Sequence, residues 1–136
     1  MNLKLKGKKV FITGSTSGIG FHIAKKFHSY GSNIAINSKN KESLEFAKGL
    51  FSEPIEGIQG DMTSEKSAKE AIEIFVDKFG SIDILICNVG SGRSVPPLTE
   101  NIFEWEKSIS LNLHSATNPI SAAIEHLTRS EGVITC

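Results

Sequence analysis

The chain has 136 residues, of which 39% are hydrophobic and 22% charged, and this is typical of one folded domain rather than a disordered or collagen-like chain. Lys plus Arg and Asp plus Glu each number 15, so a formal net charge of zero gives no basic footprint for nucleic acid or an anionic membrane. The longest apolar run, Ile84 to Cys87, is far too short to span a bilayer, and no secretory signal precedes it. We therefore expect a cytoplasmic protein whose two cysteines, Cys87 and Cys136, are buried free thiols in strands.

Short apolar runs alternate with stretches of helical periodicity along the whole chain. The predicted elements are strands at 9–13, 33–37, 55–60, 82–88 and 132–136, and helices at 18–30, 41–51, 64–79 and 99–129. Thr63 is the expected N-cap of the third helix and Gly80 its C-terminal stop. Pro119 is expected to kink or break the last helix, because it lacks an N–H and clashes with the preceding turn. This alternation favours β-α-β units with right-handed crossovers and a parallel sheet.

A glycine-rich turn, Thr13-Gly14-Ser15-Thr16-Ser17-Gly18-Ile19-Gly20, joins the first strand to the first helix. Gly14 permits a tight turn out of the strand, Gly18 leaves room for a diphosphate, and Gly20 lets the helix pack closely. The helix would then offer unpaired N–H groups and the positive end of its dipole to phosphates. The turn predicts a nucleotide site, and the alternative is a strand-to-helix turn that binds nothing.

The G-x-x-x-G-x-G spacing of this turn resembles the T-G-x-x-x-G-I-G signature of the short-chain dehydrogenase/reductase family. Three further motifs follow in the family's order, from about Leu5 to the end of the chain. Gly60-Asp61-Met62 looks like the family's Asp-Val pair beside the adenine, and Cys87-Asn88-Val89-Gly90 is similar to its N-N-A-G. Leu111-Asn112-Leu113 resembles the segment whose Asn supports the active-site proton relay.

The resemblance implies a Rossmann-like, doubly wound parallel sheet in the strand order 3-2-1-4-5. It also implies hydride transfer between the nicotinamide of NAD or NADP and a small-molecule carbonyl or alcohol substrate. Asn112 would belong to the catalytic site. The residues implied to hold the cofactor are Gly14, Ser15, Ser17, Gly18, Ile19, Gly20, Ser38, Lys39, Asp61, Met62, Asn88, Val89 and Gly90. Ser15 and Ser17 have the alternative role of satisfying the turn backbone, and Asn88 that of bracing the end of the sheet.

The end of the second strand bears on the choice between NAD and NADP. Ser38 stands where NAD-preferring relatives carry an acid that pairs with the ribose 2′-hydroxyl, and no acid precedes Glu42. Lys39 stands at the next position, where NADP-preferring relatives often carry Arg. The Lys39 ammonium would instead attract a 2′-phosphate as a point charge. NADP is therefore preferred over NAD, and the alternative for Lys39 is a solvated surface lysine.

The family's catalytic Ser and its Tyr-x-x-x-Lys have no counterpart, since the single tyrosine, Tyr30, is followed four residues later by Ile34. We interpret residues 1–136 as the cofactor-binding portion of a longer homo-oligomeric enzyme, inactive alone, with a sheet left incomplete on its C-terminal side. One alternative is a non-catalytic dinucleotide-binding or scaffold module. A methyltransferase-type nucleoside binder is disfavoured, because such sites use an acid at the end of the second strand to bind both ribose hydroxyls, and this chain has none there.

Outside the four motifs, the remaining candidates for site residues are Arg93, Trp105 and the four histidines. Arg93 is either an anion contact beside the substrate or a solvated loop cation, and Trp105 is expected to pack against the protein, with stacking on substrate as the alternative. No histidine has metal-ligand spacing to a cysteine or carboxylate, so no metal is expected.

Overall fold

A computed structural model describes residues 3–93 and 95–136. Its elements are β1 Lys9–Ile12, α1 Gly18–Ser29, β2 Asn33–Ser38, α2 Lys41–Lys48, β3 Glu56–Gln59, α3 Glu65–Phe79, β4 Ile84–Ile86, α4 Ile102–Ile109, a π-helical turn Ser110–His114, α5 Ser115–Ser130 and β5 Val133–Thr135. The strands pair in parallel in the order β3-β2-β1-β4-β5. The predicted doubly wound sheet is confirmed.

Both faces of the sheet are covered, which explains why its strands are apolar almost throughout. Successive side chains of β1 point to opposite faces, so Val10 and Ile12 pack with α1 and α2, whereas Phe11 packs with α3 and α5. Phe11 and Phe75 are both fully buried, with ring centroids 5.3 Å apart. Truncating a ring of this kind to alanine costs about 3–5 kcal/mol, so this contact fixes α3 on the sheet.

The cap of α3 differs from the prediction. Ser64, not Thr63, is the N-cap, and its hydroxyl accepts from the Ser67 N–H at 3.3 Å. Thr63 is engaged elsewhere, because its N–H and its hydroxyl both bind one carboxylate oxygen of Asp61. Gly80 ends the helix in the left-handed region at φ +80°, as predicted.

The last helical region begins later than predicted. Asn101 is its N-cap, and its side-chain oxygen accepts from the N–H groups of Phe103 and Glu104 at 3.0 and 3.2 Å. Residues from Thr99 to this cap are outside the helix.

Pro119 does not break the last helix, because α5 continues through this residue. The irregularity lies one turn earlier, where the Ser115 N–H donates to the carbonyl of Ser110, five residues back. The carbonyl of Leu111, bypassed by this shift, accepts from the Ser115 hydroxyl at 2.6 Å. Ser115 is four residues before the proline, so the backbone widens just where its carbonyl meets the proline ring.

β5 is an edge strand, and Val133 on it is 56% exposed. Cys87, which follows the more central β4, is buried, but Cys136 at the end of β5 is exposed. The expectation that both thiols are buried is therefore wrong for Cys136. In the described ranges 3–93 and 95–136, no helix combines the length and apolar character that crossing a bilayer requires.

Candidate cofactor site

The carboxyl ends of four neighbouring strands supply the residues of the candidate site. The glycine turn follows β1, Ser38 and Lys39 end β2, Asp61 follows β3, and Asn88 follows β4. The strand order reverses between β1 and β4, and in open parallel sheets this switch point forms the crevice where ligands bind. The fold therefore brings the sequence-predicted residues to one edge of the sheet.

The first two glycines of the turn adopt left-handed backbone, with φ +56° at Gly14 and +58° at Gly18. Their surroundings differ. A Cβ added to Gly14 would stand 2.8 Å from Cγ2 of Val89, whereas one added to Gly18 would meet nothing within 4 Å. Gly14 is therefore required by the protein's own packing, and Gly18 faces open space of the kind that an approaching diphosphate needs.

The third glycine, Gly20, is enforced by Asn88. A Cβ on Gly20 would collide with the Asn88 side-chain amide and lie 2.8 Å from the Gly14 carbonyl oxygen. The same amide donates to that carbonyl at 2.9 Å, and the Asn88 N–H donates to the Thr13 hydroxyl at 3.0 Å. Asn88 thus braces the turn against β4, which is the structural role considered for it.

Ser15 is committed to the turn. Its buried hydroxyl donates to the Ile12 carbonyl at 2.6 Å and accepts from the Asn37 N–H at 2.9 Å. Its own N–H donates to the Asn37 carbonyl at 2.9 Å. These contacts support the alternative in which Ser15 satisfies backbone groups rather than a phosphate.

Ser17 and Ile19 lie where the turn enters α1, and both are exposed. Ser17 is the N-cap of α1 but makes no side-chain cap hydrogen bond, and the first turn carries no acidic residue. The Ser17 hydroxyl therefore does not cap the first N–H groups of α1.

Asn37 is a structural residue that the motifs did not reveal. Its side-chain oxygen accepts from the Gly14 N–H at 3.1 Å, and its amide donates to the carbonyls of Ile58 and Gly60 at 3.0 and 3.1 Å. It is only 1% exposed, and it ties the glycine turn to β3. The signal in the sequence is a polar residue directly after the apolar run of a central strand.

Asp61 and Met62, at the end of β3, present different groups to the surface. The hydrogen bond from the Thr63 hydroxyl, at 2.7 Å, lowers the pKa of Asp61; the Thr63 N–H and the Lys39 ammonium act in the same direction and burial opposes them. This carboxyl is therefore ionised at neutral pH. The Met62 side chain is 2% exposed and packs in the core, so a ligand contact by Met62 falls to its backbone.

The end of β2 is fixed through its backbone. The Ser38 carbonyl accepts from the Gly60 N–H, and its hydroxyl from the Asn40 N–H at 3.1 Å. The Lys39 carbonyl accepts from the Gln59 amide at 3.0 Å, while its side chain is exposed. Lys39 therefore lies at the exposed end of β2, and its charge acts on the Asp61 carboxyl.

Asn112 sits in the π-helical turn and contacts the loop after β4. Its side-chain oxygen accepts from the Ser91 N–H at 2.8 Å, and its amide donates to the Ser108 carbonyl at 3.0 Å. It borders a cleft of about 400 Å³ that Arg93 and Trp105 also line. Trp105 is 60% exposed at this cleft, which favours the alternative of stacking on a ligand over packing, and Arg93 is likewise exposed there.

Val89 and Gly90 connect the glycine turn to this cleft. The Val89 carbonyl accepts from the Ser115 hydroxyl at 3.3 Å, which links the loop to α5. A Cβ on Gly90 would stand 2.9 Å from the Asn112 side-chain oxygen. The absence of a side chain at Gly90 therefore lets Asn112 approach the end of β4.

Several known proteins are similar to this chain in sequence and in fold. A 3-oxoacyl-[acyl-carrier-protein] reductase of Chlamydia pneumoniae is 32% identical over 134 residues, which cover 96% of this chain and 54% of that protein. A probable NADP-dependent mannitol dehydrogenase of Yarrowia lipolytica is 36% identical over 117 residues, 82% of this chain and 42% of that one. A crystal structure of the 3-ketoacyl-(acyl-carrier-protein) reductase of Brucella melitensis complexed with NADH matches with a TM-score of 0.87 and 27% identity, over 96% of this chain and 56% of that one.

The chain spans about half the length of these relatives. The family sequence model described as short chain dehydrogenase matches residues 8–135, nearly the whole chain. The resemblance found in the four motifs is therefore confirmed: the chain belongs to the short chain dehydrogenase family.

Proposed function

We propose that this chain is the cofactor-binding portion of an NAD(P)-dependent oxidoreductase that acts on a small-molecule carbonyl or alcohol. The observation that carries the proposal is the glycine turn, held rigid by Asn88 and Asn37 and left open in front of Gly18. The bound nicotinamide would supply hydride acceptance and donation. A relative solved with NADH and a second relative named as NADP-dependent support this cofactor class.

The chain's own residues divide the binding work by position. Gly18 and the first turn of α1 offer backbone N–H groups to the diphosphate. The ionised carboxylate of Asp61 accepts from the adenine amino group, and the Asn88–Gly90 segment lines a ribose. Asn112 holds the loop after β4 and borders the cleft where a substrate would lie.

The binding test compares two glycines that both have left-handed backbone. Gly18 and Gly7 have φ of +58° and +76°, and a Cβ at either would meet nothing within 4 Å. The alanine variants therefore carry similar strain, but only Gly18→Ala obstructs the proposed diphosphate site. We expect calorimetry to show NADPH binding to the parent and to Gly7→Ala, and a large loss in Gly18→Ala. Equal affinities in all three would refute the site, and binding of S-adenosylmethionine instead would favour the methyltransferase-type alternative.

We infer a preference for NADP from Lys39. A charge-assisted contact to the 2′-phosphate contributes about 1.5–3 kcal/mol, or roughly tenfold to a hundredfold in affinity. Lys39→Glu should weaken NADPH binding by at least this factor and shift the preference toward NADH, because an acid at this strand end can accept from the ribose 2′-hydroxyl. Lys41→Glu, a neighbouring exposed lysine on α2, is the matched control for net charge. Unchanged dissociation constants in Lys39→Glu would remove the assignment.

The catalytic Ser and Tyr-x-x-x-Lys are proposed to lie in sequence that follows residue 136. The coverage of about half of each relative supports this proposal. Reading the gene past this codon tests it: continuation into both motifs supports the enzyme, and a stop codon supports the non-catalytic module. The 136-residue chain alone should bind cofactor but oxidise no NADPH in the presence of carbonyl substrates.

A homo-oligomer is proposed to form through α4 and α5. Apolar side chains exposed along these helices and the π-helical turn between them include Ile102, Phe103, Ile109, Leu113 and Ile124. Light scattering on Phe103→Glu and on the parent tests this surface. A monomeric parent at micromolar concentration would argue against it.

A further inference from the structure

Asn118 is a polar residue beside the packed face of α5. Ser115, Pro119 and Leu127 on this helix are buried, and Asn118, directly before the proline, is half-buried. An amide in such a place costs free energy unless its polar atoms are hydrogen-bonded. The Asn118 amide nitrogen donates to the Met62 carbonyl at 3.0 Å. This contact joins α5 to the segment that follows β3.

The Met62 carbonyl and the Thr63 N–H belong to one peptide unit, and this unit is held at both ends. Asn118 donates to the carbonyl, and the N–H donates to Oδ1 of Asp61 at 2.9 Å. Because a peptide unit is planar, fixing the direction of its carbonyl also fixes the direction of its N–H. Hydrogen bonds linked in this way also strengthen one another. Asn118 therefore acts on the Asp61 carboxylate without touching it.

The segment from Gly60 to Ser64 leaves one backbone donor and one carboxylate oxygen unused. The N–H groups that donate within the protein are those of Gly60, Asp61, Thr63 and Ser64. In residues 3–93 and 95–136, no group accepts from the Met62 N–H and none donates to Oδ2 of Asp61. Met62 is only 2% exposed, so its N–H is costly to leave unbonded unless water or a ligand accepts from it.

The unused pair matches one edge of adenine. This edge presents an amino group that donates and, next to it, a ring nitrogen that accepts. The Asp61 carboxylate and the Met62 N–H are the complementary groups, and they belong to adjacent residues. Hypoxanthine presents a carbonyl oxygen and a ring N–H at the same two places, so both of its groups are mismatched to this pair.

We propose that Asn118 is a positioning residue that makes the candidate site selective for adenine. By holding the Met62–Thr63 peptide, it keeps the Met62 N–H and the Asp61 carboxylate in the relative orientation that one base edge requires. Without the Asn118 amide both groups are still present, but the peptide that orients them is free to turn. The inference rests on the proposed function, because it places the nucleotide at this edge of the sheet.

The binding test removes the donor and keeps the shape of the side chain, in Asn118→Leu. Thr117→Ala is the matched control, because Thr117 is exposed on the same helix and its hydroxyl bonds to the His114 carbonyl at 3.4 Å. Calorimetry measures the affinity for NADPH and for the reduced nicotinamide hypoxanthine dinucleotide phosphate. We expect Asn118→Leu to bind NADPH about tenfold more weakly and the hypoxanthine analogue as the parent does. Thr117→Ala should match the parent with both.

The pair of cofactors separates positioning from a general effect on the fold. An equal loss of affinity for both cofactors in Asn118→Leu would overturn the proposal, because a merely structural residue does not change the preference for a base. An unchanged preference for NADPH, with NADPH binding intact, would refute the role of Asn118 alone. A parent that binds neither cofactor would refute the proposed function, and the adenine selectivity with it.

The positioning itself is tested without a nucleotide. The Thr63 hydroxyl and, to a smaller extent, the Thr63 N–H lower the pKa of Asp61. Asn118→Leu loosens only the N–H, so carboxyl NMR should show the pKa of Asp61 rising toward its ordinary value, by less than in Thr63→Val. Thr117→Ala should leave this pKa unchanged. An Asp61 pKa that stays the same in Asn118→Leu would overturn the positioning role, whatever the chain binds.

Discussion

Replacing Asn37 by alanine tests whether a single buried amide holds the glycine turn. The substitution removes three hydrogen bonds, to the Gly14 N–H and to the carbonyls of Ile58 and Gly60. At about 1 kcal/mol net for each bond, the free energy of unfolding should fall by about 3 kcal/mol. This is a large share of the roughly 5–15 kcal/mol that stabilises a domain.

Asn33 offers a matched control at the opposite end of the same strand. Its side chain is exposed and makes one long hydrogen bond, to the Gly7 carbonyl at 3.3 Å. Asn33→Ala should therefore cost less than about 0.5 kcal/mol. Asn37→Asp keeps the acceptor for the Gly14 N–H but turns a carboxylate toward two carbonyl oxygens, so it should cost at least as much as Asn37→Ala.

Urea unfolding followed by circular dichroism, with the slope m compared between variants, measures these differences. The reasoning is refuted if Asn37→Ala and Asn33→Ala agree within about 0.5 kcal/mol at equal m.

Two further substitutions test other contacts of the site. Gly20→Ala forces a Cβ against the Asn88 amide, so it should lower the thermal midpoint and weaken NADPH binding together; an unchanged midpoint would contradict this packing. Thr63→Val removes the hydroxyl bond that lowers the pKa of Asp61, so carboxyl NMR should show that pKa rising toward its ordinary value. A lowered pKa of Asp61 in the folded protein stabilises the fold at pH values above the ordinary pKa of Asp61. This stabilisation is lost as the pH falls through the pKa of Asp61 in the folded protein. Thr63→Val should therefore lose less stability in acid than the parent. An Asp61 pKa that does not move would show that Thr63 is not the cause.

The parallel sheet and the edge that carries the site could be predicted from the sequence. The alternation of strands and helices gives β-α-β units, and the strand order is what the resemblance of the four motifs to the family implies. The motif residues then follow the strand ends, which is why Asp61 and Asn88 fall at the same edge as the glycines.

Contacts between distant segments could not be predicted. Asn37 and Ser15 are ordinary polar residues in the sequence, and only the pairing of β1, β2 and β3 shows which backbone groups they satisfy. The cap of α3 was misplaced by one residue because Thr63 and Ser64 both carry a hydroxyl, and the Asp61 carboxylate decides between them.

The widened turn at Ser110–His114 is equivalent to an α-helix that contains one additional residue. Each residue of an α-helix advances the chain by about 100° around the axis. Deleting one residue from this turn would restore regular winding and swing α4 around its axis relative to α5 by about that angle. Trp105 would then be carried out of the cleft beside Asn112. Which side chains of α4 border this cleft thus depends on the number of residues in the π-helical turn as well as on the residue types in α4.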